Sequence, residues 1–157
     1  MIFRRINLEK DKNTIMRFRK ETHNISFGSD VPFDKEAYIE RMENRIYRFP
    51  HGQIIVEEDD KSIGQLGLLI EEYCGATIGY VNLCYLVSQY RRKGIGKELI
   101  RYAENFFIQS KVFEYHLRVS ATNYAAIGFY KKVGMVRLVE ENERFPVWRM
   151  KKVLYST

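Results

Sequence analysis

Cysteine is scarce in this chain: two in 157 residues, Cys74 and Cys84, with no partner at CxxC spacing. No disulfide framework is expected, and both are read as reduced thiols of a cytoplasmic protein. Long apolar runs are missing as well. No window approaches the roughly 18 apolar residues of a membrane span. The opening residues, MIFRRINLEKDKN, lack the apolar stretch of a signal peptide, so none is expected. Three scattered histidines, His23, His51 and His116, show no metal-ligand spacing, and no metal centre is expected. No repeat, low-complexity run or linker divides the chain, which reads as one domain over residues 1–157.

What is present fits a folded protein. Hydrophobic residues make up 45% and aromatics 14%, a globular rather than a disordered composition. The net charge of +6 favours anionic partners such as nucleotides, nucleic acid or phosphorylated cofactors. A basic surface that serves only solubility accounts for the charge equally well.

The spacing of apolar residues predicts a strand over 2–7, a helix over 11–23 and a loop through SFGSDVPFD. Asp34 is placed to cap a second helix to about residue 48, with Tyr38, Ile39, Met42 and Ile46 on one face. Three strands follow as a meander: GQIIVEED, SIGQLGLLIEEY and IGYVNLCYLVS, separated by turns at 59–62 and 74–77. The third is apolar on both faces and belongs at the sheet centre. A helix is predicted from Gly96 to about Ser110, with Leu99, Ala103, Phe106 and Phe107 inward. VFEYHLRVS is a strand, Asn123–Val133 a helix stopped by Gly134, and MVRLVEEN and PVWRMKKVL the closing strands. The fold class is α/β, a mixed sheet in the order β-α-α-β-β-β-α-β-α-β-β with helices on both faces.

The chemistry concentrates at YRRKGIGKEL, residues 90–99. Amides at a helix N-terminus lack partners within the helix, and the helix dipole adds positive charge there. Glycines let the backbone approach a bulky anion. Arg91, Arg92, Lys93 and Lys97 add full charges. A Walker A loop fails twice, because position 91 is Arg and Glu98 follows Gly96-Lys97. A GxGxxG dinucleotide fingerprint fails at Leu99. What remains is Arg91-x-x-Gly94-x-Gly96. A second segment follows: Asn123-x-x-Ala126-x-x-Phe129-Tyr130-x-x-x-Gly134-Met135.

Together, and in this strand order, the two segments resemble the acetyl-CoA-binding motifs of the GCN5-related N-acetyltransferase (GNAT) superfamily. The resemblance covers nearly the whole chain, and only in outline over the first ~50 residues. It implies direct attack of a primary amine on the acetyl thioester of acetyl-CoA. The pyrophosphate would lie on the loop Arg91, Arg92, Lys93, Gly94, Ile95, Gly96 and Lys97. The pantetheine arm would pair with a strand edge at Cys84, Tyr85 and Leu86, where relatives have a bulge. Asn123 matches a cofactor-contacting asparagine and is equally a helix N-cap. Tyr130 matches the general acid, and on its residues alone it reads as core.

No base can be carried over. Where some relatives have glutamate, this chain has Asn82, and where others have one five residues before the asparagine it has Arg118. Glu71 or Glu72 as base, and a water relayed by Asn82 or a tyrosine, are the readings left open. Glu71 and Glu72 also read as a solvated strand end. Arg118 is expected to pair with Glu114 or Glu140, or else with a substrate carboxylate. The acceptor wall is expected between His23 and Phe49, where Asp30, Asp34, Glu36, Glu40 and Glu43 mix with Phe27, Phe33 and Tyr38. Those acids suit a cationic amine, and a solvated helix face explains them too. The resemblance leaves a homodimer open, since such families often dimerise, and Phe145 and Trp148 near the C-terminus would serve an interface or simply the core. Two other classes stay open: an acyl-CoA-binding sensor without catalysis, and a nucleic-acid-binding module. The second is disfavoured because the charge peaks at one loop rather than along a stripe.

Overall fold

The structure is a computed structural model that describes residues 1–27, 33–142 and 145–154, leaving out the side chains of residues 23–27. Its elements are β1 (Ile2–Arg5), α1 (Leu8–Phe27), α2 (Lys35–Arg48), β2 (Gln53–Glu58), β3 (Lys61–Tyr73) and β4 (Ala76–Leu86). There follow α3 (Ile95–Gln109), β5 (Glu114–Ser120), α4 (Tyr124–Lys132), β6 (Val136–Asn142) and β7 (Pro146–Val153). Short 3-10 turns lie at Pro50–Gly52 and Ser88–Tyr90. The order of strands and helices is the one expected. The strands form one sheet, β1-β2-β3-β4-β5-β7-β6, and β4 is the fourth of seven. That central place suits its run of buried residues from Ile78 to Val81. The β4–β5 pair is parallel, and β1–β2, β2–β3, β5–β7 and β6–β7 are antiparallel. No helix among the described residues is long and apolar enough to cross a membrane.

Local chemistry sets the element ends. Asp59 and Asp60 both take positive φ (50° and 62°), a two-residue hairpin turn, so Lys61 and Ser62 belong to β3 rather than to the turn. Cys74 and Gly75 do the same at 48° and 82°, leaving Ala76 and Thr77 in β4. The first helix begins earlier than expected. Asn7 Oδ1 accepts from Glu9 N (3.0 Å), and the Asp11 carboxylate reaches back to Asn7 N (2.8 Å). Arg4 grips that same carboxylate with two bonds of 2.7 Å. The helix also continues through Phe27, so Ser26 and Phe27 are helical. Residues 28–32 of the expected loop, including Asp30, lie outside the described residues, and Phe33 and Asp34 lead into α2. Asp34 caps α2 as expected, accepting from Ala37 N at 3.0 Å.

The chain groups into two compact units: Met1–Gly67 with Leu83–Ile95, and Leu68–Asn82 with Gly96–Thr157. The core of the first gathers Ile6, Ile15, Phe18, Tyr38, Met42, Ile55, Leu83 and Tyr85. Ile39 and Ile46 of α2 pack against it. In the second, α3 buries Leu99, Ile100, Ala103 and Phe107. Phe106, expected inward, is half-buried, and Ile100 takes that face with Ala103 and Phe107 at helical spacing. Phe107 stacks on Tyr115 with ring centroids 5.2 Å apart. Its ring also lies over Gly79, where an added Cβ would come within 2.5 Å of it.

Arg118 pairs with Glu141 (2.7 Å), not with Glu114 or Glu140 as expected. The reason is a bulge in β6 between Arg137 and Val139. A regular ladder would put Glu140 on the face of Arg149 and Arg118; one extra residue turns Glu141 there instead. Glu141 then bridges both arginines, with Arg149 Nε at 3.2 Å.

Gly79→Val should cost about 2 kcal/mol or more through the collision with Phe107. Urea unfolding checks it, and Gly79→Val with Phe107→Leu should recover part of the loss. Equal midpoints for Gly79→Val and the parent would show that α3 is not seated on this glycine.

Candidate functional site

In the first unit the last residues of β4 form the edge strand. Val87 N donates to the Ile63 carbonyl at 2.8 Å, binding β4 to β3. Gly64 sits so close beneath that an added Cβ would be 2.5 Å from the Tyr85 carbonyl. Alternation along the ladder turns the backbone of Tyr85 toward β3 and that of Cys84 and Leu86 away from it. The β4–β5 ladder consists of Gly79↔Tyr115 and Tyr80↔His116. Beyond Tyr80, no ladder pair joins β4 to β5 among the described residues, although β4 runs on to Leu86. The edge therefore carries backbone groups turned outward. One of them, the Leu86 carbonyl, accepts from Arg91 Nε at 2.7 Å.

The loop after β4 is shaped for an anion. Arg92 and Gly94 take positive φ, 62° and 81°, which curls the chain into a concave run of amides. Among the described residues nothing accepts a hydrogen bond from the backbone N–H groups of Arg92 to Lys97. These amides open α3, a helix of 15 residues whose dipole adds to them. The two glycines serve different ends. At Gly94 the space is open and the requirement is the backbone angle, whereas a Cβ at Gly96 would stand 2.9 Å from the Phe129 ring. Arg92, Lys93 and Lys97 are exposed around the amides. Arg91 is engaged elsewhere: besides Leu86, it approaches Glu21 Oε1 (3.5 Å) and lies over the Tyr85 ring (5.6 Å). It braces the loop against α1.

Two groups on the edge have perturbed acidities. Burial pushes the Cys84 thiol up to about 12. The Tyr85 phenol is raised by burial first and then by the Glu21 carboxylate. Both stay neutral near pH 7.

The other candidates lie in the second unit. Asn123 is exposed and caps α4, its Oδ1 accepting from Ala126 N at 3.2 Å. Tyr130 is half-buried on the last turn of α4, its ring 5.4 Å from that of Phe129, so it is not part of the buried core. Asn82 is half-buried on β4. Glu72 is exposed at the hairpin end of β3 and accepts from Thr77 Oγ1 at 2.8 Å. Trp148 is half-buried, with Arg137 and Lys131 at 4.8 and 5.4 Å from its ring, while Phe145 is exposed.

Sequence reasoning missed Tyr80. It is buried on β4, with the guanidinium groups of Arg118 and Arg149 each 5.7 Å from its ring. Burial raises its phenol, and the two arginines oppose the rise. Arg149 is the buried hub of this cluster. It lies 4.2 Å from the Tyr73 ring centre and donates to His116 Nδ1 (2.9 Å). His116 Nε2 then carries the proton given to Glu114 (2.6 Å). No local motif marks these residues, because they converge from β3, β4, β5 and β7.

Comparison with known proteins bears directly on this arrangement. Residues 15–135 match the sequence profile described as the Acetyltransferase (GNAT) family. Two proteins named N-alpha-acetyltransferase 30 are similar. The one from Xenopus laevis is 36% identical over 59 residues, 38% of this chain and 22% of that protein. The one from Schizosaccharomyces pombe is 25% identical over 93 residues, 59% of this chain and 62% of that protein. The chain thus spans less than two thirds of either relative. Among solved structures, Chaetomium thermophilum Naa20 in complex with a bisubstrate analogue superposes with a TM-score of 0.79 at 18% identity, covering 98% of this chain and 87% of that one.

The two thiols should differ in reactivity. Cys74 is exposed on the hairpin, and Cys84 holds its proton up to about 12. At pH 8 a disulfide reagent should titrate one thiol quickly and the second at least about a hundredfold more slowly, since the thiolate is the reactive form. Equal rates would mean that the half-buried Cys84 thiol is not shielded from the reagent.

Proposed function

The chain belongs to the Acetyltransferase (GNAT) family, and on that premise we propose that residues 1–157 act as one cytoplasmic N-acetyltransferase domain that moves the acetyl group of acetyl-CoA to the terminal amine of a peptide. The observation that carries the reading is the run of unpartnered amides from Arg92 to Lys97 at the start of α3, beside an edge strand with outward backbone groups. The amides and the exposed cations of that loop would bind the pyrophosphate. The edge at Cys84 and Leu86 would pair with the amides of the pantetheine arm. An outward N–H of that edge would polarise the acetyl carbonyl as negative charge develops on it. The peptide acceptor is supported by the names of the curated relatives.

Each step then falls to a named group. The amine attacks the thioester carbon, forms the C–N bond, and expels the coenzyme A thiolate. Tyr130 would donate its proton to that sulfur, a role open to a half-buried phenol. The amine proton would leave through a water held by Asn82 rather than to Glu72, which is engaged with Thr77 at the far end of the strand. The raised pKa values of Cys84 and Tyr85 keep negative charge off the edge that the thioester would touch. Much of the rate would come from holding amine and thioester together.

Calorimetry with acetyl-CoA, and with ATP and a short RNA as controls, tests the donor. Micromolar acetyl-CoA binding above both controls is expected. Gly96→Val should weaken it by about tenfold or more, because the loop must shift away from Phe129. Unchanged affinity would refute the loop assignment. Tyr130→Phe should lower kcat on a peptide panel by about a hundredfold while leaving acetyl-CoA affinity unaltered. Binding with no turnover on any amine would favour an acyl-CoA sensor instead.

A further inference from the structure

The first unit holds a cluster of cations that the acetyl-transfer chemistry does not use. Arg19 of α1 and Arg41 and Arg45 of α2 converge on Tyr38. The guanidinium of Arg19 is 6.0 Å from the Tyr38 ring centre, and that of Arg41 is 5.8 Å from it. Tyr38 is buried at 1% exposure, as is Gln65 of β3 below it. Gln65 Nε2 donates to the Tyr38 hydroxyl at a long 3.4 Å, and Gln65 Oε1 has no partner among the described residues. No described carboxylate lies within ion-pair distance of Arg19 or Arg41. The acids of α2, Glu36, Glu40 and Glu43, are all exposed.

Such an arrangement is electrostatically unfavourable by itself. Burial holds Arg19 below the ordinary guanidinium value, and Arg41 repels it further. Arg45 is lowered in the same way by burial, then by Arg41 and Arg19. Contact with one aromatic ring offsets only part of this. Like charges gathered over one buried ring are stabilised when an anion joins them, and the planar guanidinium fork suits carboxylate and phosphate oxygens.

We propose that Arg19 and Arg41, gathered over Tyr38, recognise an oxyanion, carboxylate or phosphate, carried by the acceptor, so that the acceptor is an acidic peptide. This rests on the acetyltransferase reading above and reverses the expectation that acids between His23 and Phe49 would attract a cationic acceptor. Of those acids, Asp34 serves as the cap of α2. The same unit contains the β4 edge: Phe18, beside Tyr38 in its core, packs on Tyr85 at 4.9 Å. An acceptor held by the arginine cluster would therefore engage the unit that carries that edge.

The test uses two labelled peptides of equal length, one with glutamates after its first residue and one with glutamines, titrated by fluorescence anisotropy into the full chain. The acidic peptide should bind about tenfold tighter, the size of one charge-assisted contact. Both Arg41→Gln and Arg19→Gln should reduce that preference to less than about threefold, and 0.5 M salt should reduce it likewise. Arg41 is exposed, so its variant should fold normally, and circular dichroism checks both. Inorganic phosphate should compete with the acidic peptide and not with the neutral one; competition without any acidic-peptide preference would assign the site to free phosphate and overturn the acceptor role. Equal binding of the two peptides, or a preference that survives both substitutions, would also overturn the proposal. Turnover is read separately: preferential binding without acetylation would count against the catalytic reading and leave the oxyanion site standing.

Discussion

The two edges of β4 are treated unequally, and the rest of the candidate site depends on it. One edge is bound to β3 as far as Val87; among the described residues the other pairs with β5 over Gly79 and Tyr80. A backbone edge cannot be left unsatisfied without cost, so the strand must meet water or a ligand there. The chain meets this demand in part with its own Arg91, whose Nε holds the Leu86 carbonyl. The same arginine leans on Glu21 and Tyr85, which ties the loop after the strand to α1. Arg91 thus reads better as a brace for the loop amides than as a phosphate ligand itself.

Glycine appears in this region wherever backbone must approach something bulky. Gly64 lets β3 lie under the Tyr85 carbonyl, Gly79 seats Phe107, and Gly96 admits Phe129. In all three the missing side chain makes room for packing. Gly94 differs, since nothing crowds it and only its positive φ is required. The loop is therefore fixed from two directions. Its conformation is set by left-handed residues, and the helix it opens is anchored by close contact with α4.

Charge is distributed according to what each region must hold. Around the β5–β7–β6 ladder Arg118 and Arg149 meet acids: Glu141 bridges both, and His116 links Arg149 to Glu114. On the loop the cations Arg92, Lys93 and Lys97 stand exposed around the amides that open α3. Between α1 and α2 they converge on a tyrosine ring, with no described acid paired to Arg19 or Arg41. The net charge of +6 is thus not a uniform coat.

The sequence alone determined the succession of elements, the central place of β4, the cap at Asp34 and the stop at Gly134. All of these follow from short-range patterns: apolar periodicity, turn residues and capping groups within a few positions of one another. It also marked the glycine loop, because a helix start with glycines and cations is a local signal. Only the tertiary structure decided which acid meets Arg118, since one extra residue in the β6 bulge exchanges the faces of Glu140 and Glu141. It alone placed Glu72 on the hairpin and joined Tyr80 to Arg149 and His116. It alone brought Arg19 and Arg41 together over Tyr38, from helices whose own periodicity says nothing of the other. Register, bulges and contacts between distant segments are set by how surfaces pack, and that information is not carried by any one stretch of chain.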